Sequence, residues 1–267
     1  MIEQIPAWLR FAGIAFLGLV FLLLLAPFVV VVGASLSQSN FIHFPPSGIT
    51  LKWYREVLGS GAYLSAMFLS LQIALAVTVI ATLLGGAASI AIHRRVLPGS
   101  DFLSMVFMLP LMLPTIIYAV GLLTFWSVAV GPVSPVALVI SHSVLALPYV
   151  VRTTLAVLAE SDPKLEEAAR TMGANRLQRL FLVVVPQCIP GLAAGAFFAF
   201  NISFDEAVLS LFMRSPDMTT LPIQIYGQLE FNPDPSVAAV SSILIGITVL
   251  IVLSIEKILG LGRVASA

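Results

Sequence analysis

The stretch Glu160–Pro186, ESDPKLEEAARTMGANRLQRLFLVVVP, holds eight of the chain's charges between two long apolar runs. Upstream, Phe102–Val151 contains no Asp, Glu, Lys or Arg; downstream, Gln187–Met213 carries only Asp205 and Glu206. A polar island between such runs reads as a water-facing segment joining two membrane spans. The island has an internal grammar. Ser161-Asp162-Pro163 is a helix start, since Asp162 can accept from free backbone N–H groups and Pro163 suits the first helical position. Glu166 and Glu167 follow near the positive end of the helix dipole. Leu165, Ala168 or Ala169, and Met172 recur at helical spacing as a short amphipathic face. Gly173 can adopt the left-handed conformation that ends a helix. A second amphipathic run, Asn175–Val184, leads to Pro186. The segment therefore reads as helix, glycine turn, helix, with small residues at Ala168 and Ala169 that would let another protein come close to the backbone.

Composition supports a lipid-embedded chain. Of 267 residues, 59% are hydrophobic and 10% charged, against roughly 25% charged in an ordinary soluble domain. So little charge cannot cover a water-facing surface of this size. The net charge of zero gives no basic or acidic bias toward nucleic acid. The lysines are Lys52, Lys164 and Lys257, and the single cysteine, Cys188, can form no internal disulfide.

A spanning helix needs about 20 apolar residues. Phe11–Ala34 is the first span. A cleaved leader would have a shorter apolar region, about 7–15 residues, so this stretch is expected to remain as a helix. Tyr63–Ile92 is the second, closed by His93-Arg94-Arg95. Phe102–Val151 is too long for one helix and must fold back at Gly131-Pro132-Val133-Ser134-Pro135. That predicts spans at Phe102–Phe125 and Pro135–Val151. The fifth is Gln187–Met213 and the sixth Ser236–Ile255. With an internal N-terminus, Arg10, Arg94, Arg95, Arg152, Lys164, Arg170, Arg176, Arg179, Lys257 and Arg263 are cytoplasmic, against Lys52, Arg55 and Arg214 outside. Cytoplasmic loops carry the excess of Lys and Arg, so both termini are expected in the cytoplasm. The expectation is an all-α, six-span protein forming one transmembrane domain over residues 1–267, with its cytoplasmic loop at 160–186.

Glu167-Ala168-Ala169, Gly173 four residues on, and Val183-Val184-Val185-Pro186 after nine more resemble the EAA loop of binding-protein-dependent ABC importer permeases. Val185 stands where that pattern usually has leucine. Thr50-Leu51-Lys52-Trp53-Tyr54, Ser203-Phe204-Asp205-Glu206 and Thr220-Leu221-Pro222-Ile223-Gln224-Ile225-Tyr226 are similar to the spermidine/putrescine subfamily. The resemblance implies a type I importer permease of the bacterial inner membrane. It implies a second permease subunit, usually a different sister chain, ATP-binding cassette subunits, and an external solute-binding protein. Glu167, Ala168, Ala169, Gly173, Ala174 and Pro186 would then form the ATPase-coupling element. A polyamine or related small, often cationic, solute would be the cargo. No lysine lies in a Gly-x4-Gly-Lys-Ser/Thr phosphate loop; ATP and Mg are expected on the partner ATPase, and no cofactor or metal on this chain.

Asp205 and Glu206 are candidate pathway residues, because acids within a span are costly and by default functional. They fall roughly 27 Å along the helix from Gln187, toward the external side, and adjacent acids cannot share one narrow face. Asn201, Ser203 and Tyr118 complete the candidate pathway, with Tyr118 also readable as an interface anchor like Trp53, Tyr54, Trp126 and Tyr149. His142, Gln72 and Asn201 can line a polar path or hydrogen-bond a neighbouring helix. Pro110 and Pro114 are expected to kink or break the third span, which makes it a candidate pathway wall. Gly85-Gly86, Gly191 and Gly195 point to close helix packing. A proton-coupled secondary transporter using Asp205 and Glu206 is the alternative; it would not need a helix–glycine–helix docking loop.

Overall fold

The computed structural model describes residues 6–96, 98–215 and 218–259. Among them the chain is helical, with a lone antiparallel bridge between Ser37 and Ile49. The helices are α1 (Ala7–Ser35), α2 (Lys52–Gly59), α3 (Gly61–His93), α4 (Ser100–Met112), α5 (Thr115–Phe125), α6 (Pro135–Glu160), α7 (Pro163–Thr171), α8 (Arg176–Arg179), α9 (Val185–Asp205), α10 (Val208–Phe212), α11 (Leu221–Phe231) and α12 (Ser236–Leu259). A π-helical turn, Trp126–Val130, extends α5, and another, Leu180–Val184, joins α8 to α9. Two compact units emerge, one of residues 1–64 and 225–267 and the other Ser65–Gln224.

In the first unit α1 is apolar all round, and none of its most apolar stretch is buried. Such a helix needs lipid or another protein around it. α12 packs on α1 and α2. The loop after α1 folds back, with Thr50 N–H donating to Leu36 O at 2.8 Å. Trp53 and Tyr54, expected as lipid-interface anchors, are used internally instead. Trp53 is 4% exposed, and its Nε1 donates to Ser37 O at 2.9 Å. The Tyr54 hydroxyl lies 2.6 Å from Ser35 Oγ. α2 and α11 were not expected: each is short, and α11 interrupts a segment that reads as loop.

The second unit is built on the close pairing of α6 with α9. Glycine makes that approach possible. A methyl on Gly191 would sit 2.8 Å from Thr153 O and 2.9 Å from Thr154 Cα, and one on Gly195 2.8 Å from Val150 Cα. Around the seam Val77, Leu138, Val150, Leu209 and Met213 form a buried core.

Long apolar helices confirm the membrane reading, and four of them, α1, α3, α6 and the continuous Arg176–Asp205, are each long enough to cross. Three boundaries depart from expectation. The third span is not one rod: α4 and α5 meet at 102°. The break falls at Leu113-Pro114, not at Pro110, which α4 accommodates. Leu113 is extended (ψ 138°) because the following proline disfavours helix there, and Pro114 then caps α5. The fourth span runs on past Val151 to Glu160. The fifth starts earlier and ends earlier than predicted, at Asp205 rather than Met213. The run Asn175–Val184 is thus the beginning of span five, continuous with α9, not a separate helix.

Candidate coupling and pathway sites

The segment between α6 and α9 is stiff because its ends are capped by its own side chains. Asp162 Oδ1 accepts from Lys164 N–H at 2.9 Å, and Pro163 occupies the first helical position. At the far end Gly173 has φ 87°. Ala174 N–H donates to Ala169 O and Gly173 N–H to Arg170 O, the paired bonds of a Schellman motif, which requires a left-handed residue. One residue later Asn175 and Gln178 cap each other reciprocally, at 2.9 and 2.8 Å. The first device fixes where α7 starts, and the other two fix the angle between α7 and α8.

α7 presents two different faces. Ala169 is buried against the chain itself, 7% exposed, and Ala174 is half-buried. Glu167 and Ala168 are exposed, as are Leu165 and Met172, the latter at 82%. Leu165, Ala168 and Met172 fall on one helical stripe. Of the six predicted coupling residues, then, Glu167, Ala168, Gly173 and Pro186 are exposed, whereas Ala169 is packing. Glu166 was not singled out from sequence beyond its place near the dipole. Its Oε1 accepts from Arg94 Nη2 at 2.5 Å and lies 3.8 Å from Arg179 Nη1. These groups line a recess of about 320 Å³ with Asp162, Arg170 and Gln187. The charge alternation was visible in the sequence, but the pairing with Arg94, across 72 positions, was not.

The predicted pathway residues separate. Asn201 and Asp205 are one helical turn apart on α9, and Asp205 is exposed where that helix ends. Asn201 Nδ2 donates back to Phe197 O at 2.7 Å. Ser203 points the other way. It is 5% exposed, and its Oγ is 3.1 Å from His142 Nδ1, while Ser210 Oγ is 3.3 Å from His142 Nε2. His142 therefore joins α6 to α9 and α10, which is the helix-packing role. Glu206 turns back to accept from Leu209 N–H at 2.9 Å and so starts α10. Tyr118 donates to Ser141 O at 3.1 Å, fastening α5 to α6 beside Trp126, whose Nε1 donates to Ser141 Oγ at 3.1 Å.

Comparison with known proteins is direct. A model of the family described as "Binding-protein-dependent transport system inner membrane component" matches residues 81–260. The chain belongs to this family. It is a permease subunit of an ATP-driven importer, an inner-membrane transport component whose kind implies an ATPase subunit and a second permease subunit. It is 29% identical over 244 residues to the spermidine/putrescine transport system permease protein PotC of Escherichia coli (strain K12), covering 91% of this chain and 92% of that one. The putrescine transport system permease protein PotI of the same organism is 30% identical over 240 residues, covering 87% and 85%. The putative 2-aminoethylphosphonate transport system permease protein PhnV of Salmonella typhimurium is 27% identical over 249 residues, covering 92% and 93%. Among solved structures, a bacterial ABC transporter involved in the import of the acidic polysaccharide alginate superposes with a TM-score of 0.71 at 17% identity, covering 95% of this chain and 98% of that one. That likeness carries the permease fold.

Proposed function

We propose that the permease imports a small cationic solute of the polyamine class and is driven by a separate ATPase docked on α7. The observation that carries the docking is the exposed stripe of Leu165, Ala168 and Met172 beside Glu167 on a helix locked at both ends. Apolar groups presented on a rigid, water-side helix favour a protein partner. A rigid element passes a partner's movement into the spans that flank it, as alternating access requires. Glu167, Ala168, Gly173 and Pro186 form the contact, with Ala169 and Ala174 packed behind it. The chain has no ATPase activity of its own; ATP and Mg act on the partner. A second, different permease subunit completes the pathway, and an external solute-binding protein delivers the cargo. Both termini lie in the cytoplasm, as the Lys and Arg distribution favours.

The polyamine assignment is supported by the two polyamine permeases among the relatives and by Asp205. This carboxylate is exposed at the end of α9, one turn from Asn201. Ser203 and Tyr118 shape the wall by bonding neighbouring helices, and Glu206 does so by starting α10.

Mild-detergent purification of the tagged chain from its native membrane, with mass spectrometry of what accompanies it, tests the docking. A protein with a Gly-x4-Gly-Lys-Ser/Thr loop is expected, and Glu167→Lys should lose it while remaining inserted. A lone chain, from a preparation in which other membrane complexes survive, would overturn the reading.

A further inference from the structure

We propose that Glu166 is a positioning residue for energy coupling: its carboxylate, shared by Arg94 and Arg179, makes α7 and the cytoplasmic ends of α3 and α9 one rigid body. The inference rests on the reading of α7 as the ATPase-docking helix and adds which spans the movement enters and through which group.

The geometry is a single carboxylate between two guanidinium groups from different elements. Arg94 sits at the end of α3, its N–H still bonded to Ile90 O, and Arg95 with φ 48° turns the chain away immediately after. Arg179 closes α8, which runs through the π-helical turn into α9 without interruption. The three side chains are 28%, 31% and 19% exposed. Partial withdrawal from water strengthens such contacts relative to fully exposed pairs, and removing one partner leaves the others uncompensated. Beneath them Leu158, Val184 and Cys188 form a buried cluster with Ile90 and Leu192 packed against it, so α3, α6 and α9 also meet through apolar contact. α6 is tied to α7 covalently, through Ser161, whose hydroxyl donates to Leu158 O. A push on the exposed side of α7 is therefore delivered to α3 through Glu166, to α6 through the chain at Ser161, and to α9 both through the chain at Gly173 and through the Glu166–Arg179 pair. Glu167, its neighbour, faces outward and has the docking role; the two adjacent acids divide the work between partner and bundle.

The test uses spin labels at Val96→Cys and Met172→Cys in a Cys188→Ala background, with the interlabel distance read by electron paramagnetic resonance. It is read on the lone chain in nanodiscs and on the ATPase-bound importer, nucleotide-free and trapped with ATP and vanadate. One narrow distance, equal in all three states, is expected. Glu166→Gln, similar in volume and uncharged, should broaden it in each. Arg94→Gln, which keeps the Glu166–Arg179 pair, should broaden it as well, so a failure of one variant to assemble leaves the other decisive. A Glu166→Gln or Arg94→Gln distance as narrow as the parent's overturns the proposal, and so does a parent distance that changes on trapping. Should the docking reading fail instead, Glu167→Lys would retain the ATPase, and the lone-chain distances would still report on Glu166.

Discussion

At the residue scale, the sharpest constraints are glycines. Gly191 and Gly195 face backbone of α6, which cannot swing aside, so any side chain must push the two helices apart. Gly191→Val should destabilise the purified permease by about 1–3 kcal/mol, seen as a lower midpoint in thermal unfolding in detergent. Gly18→Ala should not lower the midpoint, because a methyl there meets nothing within 4 Å and alanine favours the helix. Equal midpoints for the two variants would show that α6 and α9 are not in contact. Gly86 is milder, since its methyl would meet only the mobile end of Leu192. The pathway offers a second residue-level test. If Asp205 attracts a cation, Asp205→Asn removes a charged contact of about 1.5–3 kcal/mol. Putrescine uptake should then show KM raised by about tenfold or more, with the amount of assembled importer unchanged. Normal uptake kinetics would mean that Asp205 only meets lipid headgroups at the helix end.

At the element scale, the segment between α6 and α9 was legible in detail because its signals are local. Asp162, Pro163, Gly173 and Asn175 each act within four positions of themselves, and the structure realises each as a cap or a turn. Two features were not legible. Glu166 finds Arg94 only after the chain has crossed α4, α5 and α6, which no local pattern encodes. The end of α9 at Asp205 is hidden because apolar residues resume at once in Val208–Phe212, and hydropathy does not register a chain that turns. Trp53 misled for a related reason: aromatic character marks the lipid interface and the buried core alike. The element's rigidity is testable at Gly173. Its left-handed φ costs a residue with Cβ about 1–2 kcal/mol, while asparagine tolerates that region. In titrations of reconstituted permease with the ATPase, affinity should fall in the order Gly173, Gly173→Asn, Gly173→Val. The valine variant should bind up to about tenfold more weakly; affinity equal to the parent's would show that docking does not need the fixed angle between α7 and α8.

At the scale of the whole molecule, the Arg94–Glu166 contact bears on how many times the chain crosses the bilayer. Length and composition leave the bent pair α4 and α5 open as a broken span or a re-entrant loop. Arg94 ends α3, and Glu166 follows α6 on a helix of its own. For the two side chains to touch, both must lie on the same face of the membrane, so an even number of crossings must separate them. α6 supplies one. The bent pair is therefore expected to supply the other, crossing once despite its 102° angle. A re-entrant loop would put Arg94 and Glu166 on opposite faces, with the hydrocarbon core of about 30 Å between them. Counting the pair as one span brings the helices long and apolar enough to cross to five among the described residues. Single cysteines at Val96, Pro132 and Met172, in a Cys188→Ala background, make the argument measurable with a membrane-impermeant maleimide. Pro132 should label in intact spheroplasts, and Val96 and Met172 only in inverted vesicles. Labelling of Val96 and Met172 from opposite faces would exclude both the broken span and the Arg94–Glu166 contact, and would remove the path by which α7 moves α3. Labelling of all three in the reverse pattern would keep the parity and invert the orientation, which would put α7 out of reach of any cytoplasmic ATPase.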